Sequence, residues 1–244
     1  MMQRVLCIDS GNSRIKWGLA YGNCWLARGA LAHDAAAELA PALREHPMAT
    51  RVLIANVAGA QALVAIHAAL AGMTLAPDSI VDVRAEAMRA GVRNGYREPS
   101  RLGVDRWCAL IGARAQVSGA ALVVMAGTAT TVDTLTADGL FRGGLILPGI
   151  ELMRRSLARD TAGLPFAEGQ HQPWPQCTDD AIVSGILEAQ AGAIERAWHR
   201  LDNPAAPCLL SGGAAGRLAG LLDLPVKAVE DLPLDGLRVL AGEI

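Results

Sequence analysis

One short pattern occurs twice in this chain and limits what it can fold into. Ile8-Asp9-Ser10-Gly11-Asn12 and Val124-Met125-Ala126-Gly127-Thr128 each close an apolar run, turn through glycine and lead into a second apolar run. An apolar run that enters a glycine turn and returns reads as a strand pair. One such pair is an ordinary hairpin. Two in equivalent places suggest two related halves, each offering a glycine-rich turn.

The segments between agree with an α/β protein. RVLCID at residues 4–9 and KWGLAY at 16–21 read as strands, residues 34–46 as a helix whose boundaries Pro41 leaves open, and residues 80–83 as a further strand. After Gly103, the residues Trp107, Leu110, Ile111 and Arg114 recur at helical spacing. ALVVMAG, TTVDTLT and GGLILPG continue the strands, a long helix is predicted over 179–199 with Thr178 as its N-cap, and CLLSGG is a strand before a short helix. Strands alternating with helices place the chain in the α/β class. With 244 residues there is room for two domains, set here at 1–117 and 118–244.

Composition leaves several roles without support. The net charge is −2 with no basic block, which gives no support for a nucleic-acid partner or an anionic membrane surface. Five scattered cysteines in odd number, without metal-ligand spacing, read as reduced thiols of a cytoplasmic protein. Residues 1–8 are too short for a signal-peptide core. Residues 52–77 carry no Asp, Glu, Lys or Arg, but Asn56, Gln61, His67 and two glycines divide them into a strand and a helix rather than a membrane span.

The chemistry these turns could support is phosphate binding. Glycine lets backbone N–H groups approach an anion closely. In the first turn Asp9 could hold Mg²⁺ directly or through water, Asn12 and Ser13 could donate to phosphate oxygens, and Lys16 could neutralise charge. Gly127 and Thr128 could hold the other side of a triphosphate. Neither turn has Walker spacing. Asp105 stands at the start of a helix, where the dipole favours an ionised carboxylate, and could act as a general base. Arg106 beside it could bind a carboxylate or phosphoryl oxygens. A helix-start aspartate with a surface arginine would be the plain structural explanation of that pair.

Taken in order, Asp9-x-Gly11-Asn12-Ser13-x-x-Lys16, Asn94-Gly95-Tyr96-x-x-Pro99, Gly103-x-Asp105-Arg106, Gly127-Thr128-Ala129-x-Thr131-x-Asp133, Gly143-Gly144-x-Ile146-x-Pro148-Gly149, Thr178-x-x-Ala181 and Ser211-Gly212-Gly213 resemble the motif series of type III pantothenate kinases. The resemblance spans nearly the whole chain. It implies two duplicated ribonuclease H-like domains of the actin-like ATPase kind with a nucleotide cleft between them, assembled as a homodimer. It also implies ATP with Mg²⁺ as cosubstrate and pantothenate as phosphoryl acceptor, at the first step of coenzyme A synthesis. By position, Asp9, Ser10, Gly11, Asn12, Ser13, Arg14, Ile15 and Lys16, with Gly127 and Thr128, resemble the nucleotide contacts. Asp105 resembles the general base, and Tyr96, Gly103, Val104, Asp105, Arg106 and Thr178 resemble the pantothenate site. Thr178 also has its reading as a helix cap, and Tyr96 as a packing residue. The sequence departs from the family at Met125, where the family carries an aspartate that binds potassium or ammonium. A thioether is a poor ligand for a hard cation, so no monovalent cation is expected there. A kinase for another small hydroxylated substrate and a non-catalytic regulatory member of the family are the alternative readings.

Overall fold

A computed structural model describes residues 3–73 and 75–243. Met1, Met2 and Thr74 lie outside the described residues, so the readings of segments 1–8 and 52–77 are tested only in part. The chain divides into two compact units, one made of residues up to Gln116 with those from Asp231 onward, the other of Val117–Glu230.

In chain order the first unit contains β1 (Arg4–Ser10), β2 (Ile15–Tyr21), β3 (Cys24–Leu31), α1 (Leu39–Leu43), β4 (Arg51–Asn56), α2 (Ala60–Leu70), β5 (Ile80–Asp82), β6 (Met88–Arg89), β7 (Val92–Asn94) and α3 (Val104–Gln116). The second contains β8 (Ala121–Ala126), β9 (Ala129–Leu135), β10 (Leu140–Pro148), α4 (Ile150–Asp160), α5 (Thr178–His199), β11 (Cys208–Ser211), α6 (Ala215–Ala219) and β12 (Val226–Ala228). The final helix, α7 (Leu232–Ala241), belongs to the first unit.

The repeat seen in the sequence is a repeat of topology. Five strands of the first unit lie in the order β3-β2-β1-β4-β5, and the five of the second in the order β10-β9-β8-β11-β12. Strands β1–β3 and strands β8–β10 are antiparallel neighbours, β4 and β5 run parallel to β1, and β11 and β12 run parallel to β8. Both first strands are covered on both faces, which is why they read as unbroken apolar runs. In β1, Leu6 and Ile8 enter a core with Leu39, Leu43, Ile66 and Leu70. Cys7 and Asp9 alternate to the other face. In the second unit, Leu122, Val124 and Ala126 of β8 pack with Ile182, Ile186 and Ile194 of α5.

Helix α3 obeys its sequence spacing, since Trp107, Leu110 and Ile111 are fully buried. Each such side chain removed from water contributes about 2 kcal/mol, which fixes the helix on this face. Helix α7 packs along α3 and against β1 and β4. Gly236 of α7 lies where a Cβ would overlap the Cys108 carbonyl of α3, and Gly112 of α3 where a Cβ would overlap the Leu232 carbonyl. The two backbones therefore touch at reciprocal glycines. Asp235 extends the joint, because it accepts from Gln116 Nε2 of α3 at 3.1 Å and from Trp25 Nε1 of β3 at 3.2 Å.

Three readings need correction. Residues 34–46 form a 3-10 turn (His33–Glu38) followed by the short α1 rather than one helix. Pro41 sits in the first turn of α1, where its missing N–H is harmless, but a longer helix running through it would lose a backbone bond. Thr178 is the first residue of α5 and not its cap; Cys177 occupies that place, without a side-chain cap bond. Asp179 and Asp180 in the same turn bind the preceding loop instead, accepting from Glu168 N at 3.0 Å and Gln170 N at 2.8 Å. Finally, the segment from Asp231 joins the first unit, because the glycine joint seats α7 on α3. No described helix is long and apolar enough to cross a membrane, and residues 52–70 form β4 and α2.

The joint predicts a sharp stability effect. Gly236→Ala forces a methyl group into the Cys108 carbonyl and should destabilise the protein by about 2–3 kcal/mol through overpacking, despite the better helix propensity of alanine. Urea unfolding of the purified variant measures it; a neutral or stabilising result would show that α3 and α7 can part at no cost.

Candidate active site

The site in the first unit grows from the ends of β1 and β2 and the first turns of α3 and α7. Asp9 and Lys16 are direct cross-strand partners in the β1–β2 register. Asp9 is 6% exposed, and its Oδ1 has no hydrogen-bond partner. Burial pushes its carboxyl up to about 8; the Asp231 charge adds to the rise, Lys16 partly offsets it, and Asp105 raises it further. A buried carboxyl with an unused oxygen is costly unless something arrives to complete it.

Lys16 does not complete it. Its Nζ lies 2.7 Å from Asp231 Oδ2. Asp231 is the N-cap of α7, and its other oxygen accepts from Leu234 N at 3.3 Å. The turn between β1 and β2 is closed by Gly11 N donating to Arg14 O at 3.1 Å. His33 Nε2 lies 2.7 Å from the Gly11 carbonyl, which can only accept, so this nitrogen carries the proton. Asn12, Ser13 and Arg14 are exposed, whereas Ser10 and Ile15 are buried, so Ile15 can offer a ligand only its backbone.

Asp105 occupies the first turn of α3, and its Oδ1 accepts from Arg106 N at 2.8 Å. A Cβ at Gly103 would come within 2.6 Å of that oxygen, so glycine leaves the carboxylate its space. The Val104 side chain is in the core. Arg106 is 5% exposed, and its Nη1 donates to Tyr96 Oη at 2.9 Å. The guanidinium also lies 5.7 Å from the Tyr96 ring centroid. The Tyr96 loop is held by Asn94, whose Oδ1 accepts from Tyr96 N at 3.1 Å while its Nδ2 donates to Pro99 O at 3.0 Å and Glu86 O at 3.2 Å. Tyr96 therefore orients a buried arginine as well as packing.

In the second unit Gly127 and Thr128 form the exposed turn between β8 and β9. Gly127 N donates to Ala129 O at 3.0 Å, and Gly149 N donates to Thr128 O at 2.9 Å. Gly212, at φ +103°, brings its backbone against Ala126 at the end of β8, where a side chain would collide. Met125 is half-buried, opposite Thr131 of β9 and Ser211 of β11, in the position matching Asp9 of the first unit. Thr178 is exposed and lines an apolar groove of about 500 Å³ with Met153, Leu157, Leu164 and Ala181.

The structure thus gathers Asp9, Lys16 and Asp105 in one electrostatic cluster, and Tyr96 with Arg106 beside Asp105. Gly127, Thr128 and Thr178 belong to the other unit. Sequence reasoning missed Asp231, His33 and the scaffold role of Asn94. Asp231-Leu232-Pro233 carried a usable signal, an aspartate cap with proline in the first turn.

Comparison with known proteins decides the family. Residues 5–200 match the family model of type III pantothenate kinase. The chain belongs to the type III pantothenate kinase family. A type III pantothenate kinase from Dechloromonas aromatica is 56% identical over 97% of this chain and 98% of its own length. One from Aromatoleum aromaticum is 55% identical over 98% of both chains. Among solved structures, a protein from Campylobacter jejuni provisionally named as a conserved Baf family transcriptional activator superposes with a TM-score of 0.65 at 19% identity, covering 98% of both chains. A protein from Sinorhizobium meliloti provisionally named as a 2-dehydro-3-deoxygalactonokinase gives 0.59 at 18% identity over 97% of both chains. At these identities the structural likeness concerns the fold alone. Together with the repeated strand order, it gives two ribonuclease H-like domains of the actin-like ATPase and sugar kinase fold, as the family resemblance implied.

The raised Asp9 carboxyl has a stability consequence whose sign is fixed. An unfolded aspartate ionises near 4, whereas Asp9 in the fold holds its proton to about 8. Between those values the folded state binds more protons than the unfolded state, so stability falls as pH rises through that window and levels off above it. In metal-free buffer, Asp9→Asn should therefore gain thermal stability relative to wild type as pH is raised from 5 to 8. A stability difference that does not change with pH would remove the buried-acid description.

Proposed function

We propose that this chain transfers the γ-phosphoryl group of ATP to the primary hydroxyl of pantothenate, giving 4′-phosphopantothenate at the entry to coenzyme A synthesis. The observation that carries the reading is the grouping of Asp105, Arg106 and Tyr96 at the start of α3, next to the Asp9 and Lys16 strand ends, in a member of this family. Phosphoryl transfer needs little covalent work from the protein, so positioning and charge neutralisation dominate.

Asp105 accepts the proton of the attacking hydroxyl. Arg106, fixed by Tyr96, presents a planar donor suited to the pantothenate carboxylate. The turn from Gly11 to Arg14 and the Gly127-Thr128 turn supply backbone donors to phosphate oxygens. Thr178 is assigned to the pantothenate site as well.

Asp9 suits Mg²⁺ bound directly or through water. Its Oδ1 is buried and open, and a divalent charge would reverse the penalty on its ionised form. Among the described residues no three His, Cys, Asp or Glu side chains are grouped to hold a metal. That accords with Mg²⁺ taking its remaining ligands from water and nucleotide phosphates. The ion, when bound, supplies charge neutralisation of the phosphates. At Met125 we assign no monovalent cation, since the thioether replaces the family's carboxylate. We infer that the enzyme works as a homodimer in the cytoplasm, which is what its resemblance to the family implies.

The test incubates purified protein with Mg²⁺, ATP and pantothenate, following ADP release and identifying the product by mass spectrometry. Formation of 4′-phosphopantothenate is expected. No product from folded protein would move a different acceptor or a regulatory role to the front. Asp105→Asn should lower kcat by about 10²–10⁴-fold while leaving the melting temperature unchanged; undiminished turnover would remove Asp105 as the base. Exchanging potassium for a large organic cation should leave the rate unaltered, and a strong potassium requirement would show that another group replaces the missing carboxylate.

A further inference from the structure

The ion pair made by Lys16 is not the one its strand position would select. Asp9 stands directly opposite Lys16 in the β1–β2 register, yet the ammonium reaches Asp231, 2.7 Å away. The Asp231 side chain is 8% exposed and that of Lys16 30%, so the anchor is buried while the lysine keeps one side open. Asp231 is fixed in turn, because its second oxygen caps α7, and α7 is seated on α3 by the Gly112 and Gly236 contact. The anchor is therefore part of the rigid frame rather than a surface partner.

Two consequences follow for the cluster. With Lys16 held by Asp231, Asp9 Oδ1 is left without a partner. Freed from Asp231, the flexible lysine stem would be drawn to the next carboxylates, of which Asp9 is its register partner. An ammonium has three N–H donors, so one bond to Asp231 leaves the others for phosphoryl oxygens. The lysine also needs less ordering when the anion arrives.

We propose that Asp231 is a positioning residue of the phosphoryl-transfer site: it holds Lys16 away from Asp9, keeping Asp9 open for Mg²⁺ and Lys16 ready for the nucleotide phosphates. The assignment rests on the kinase reading above. It makes the C-terminal helix part of the nucleotide machinery, although Asp231 never touches the transferred group.

Asp231→Asn isolates this role, because asparagine caps a helix about as well as aspartate but offers Lys16 no charge. The variant should melt at the wild-type temperature. Its KM for MgATP should rise about tenfold, as expected for losing a hydrogen bond between charged groups, by a larger factor than kcat falls. The Mg²⁺ concentration giving half-maximal rate should rise with it. In a Lys16→Met background the same substitution should change KM no further. An unchanged KM in Asp231→Asn, or an equal rise with and without Lys16, would overturn the proposal. Calorimetry of MgADP binding to the same four proteins separates this inference from the kinase reading. If wild type binds MgADP but makes no phosphopantothenate, the substrate assignment fails. The Kd ratios then still support or overturn the role of Asp231.

Discussion

The first unit depends on backbone meeting backbone where α3 and α7 cross at Gly112 and Gly236. Any side chain at either place would push the helices apart, and both helices begin at the charged cluster. Asp105 stands in the first turn of α3, and Asp231 caps α7. Their charges act on Asp9 at β1, and Asp231 reaches Lys16 on β2. A contact between uncharged backbones thus sets the spacing of three carboxylates and one ammonium. Trp25 and Gln116 tighten it by sharing Asp235.

That cluster is electrostatically unfinished. Asp9 is buried with an open oxygen and a carboxyl driven up by burial and by Asp231. Structures retain such groups where an incoming ligand completes them, since an unpaired buried charge otherwise opposes folding. The neighbouring pair is the reverse case. Arg106 is buried, but Tyr96 satisfies and orients it, and Asn94 holds the tyrosine loop. One part of the site waits for charge to arrive, and the other is already built to receive it.

Much of this was legible in the sequence because it rests on local patterns. The two strand–glycine–strand pairs announced the repeated topology, and the spacing of Trp107, Leu110 and Ile111 gave the buried face of α3. What the sequence hid was mostly non-local. Helix α7 contains Gly236, which argues against a helix interior on propensity alone, and only its fit against α3 explains the glycine. Asp231 could be recognised as a cap but not as the partner of Lys16, because that pairing requires the folded sheet. Thr178 failed as a cap for a related reason: the loop at Glu168 and Gln170 recruits Asp179 and Asp180, and the backbone starts its helix one residue earlier.

The placement of α7 also bears on how the molecule is made. The first unit is discontinuous in sequence, with all of Val117–Glu230 lying between its sheet and its last helix. During synthesis the second unit is complete in the emerging chain before the first can close, reversing the usual order in which N-terminal domains settle first. Until then the groove on α3 that receives Gly236 stays exposed, together with the apolar face around Cys108. A nascent chain stalled before Asp231 would carry a finished second half and an uncovered first half, the kind of surface that chaperones recognise.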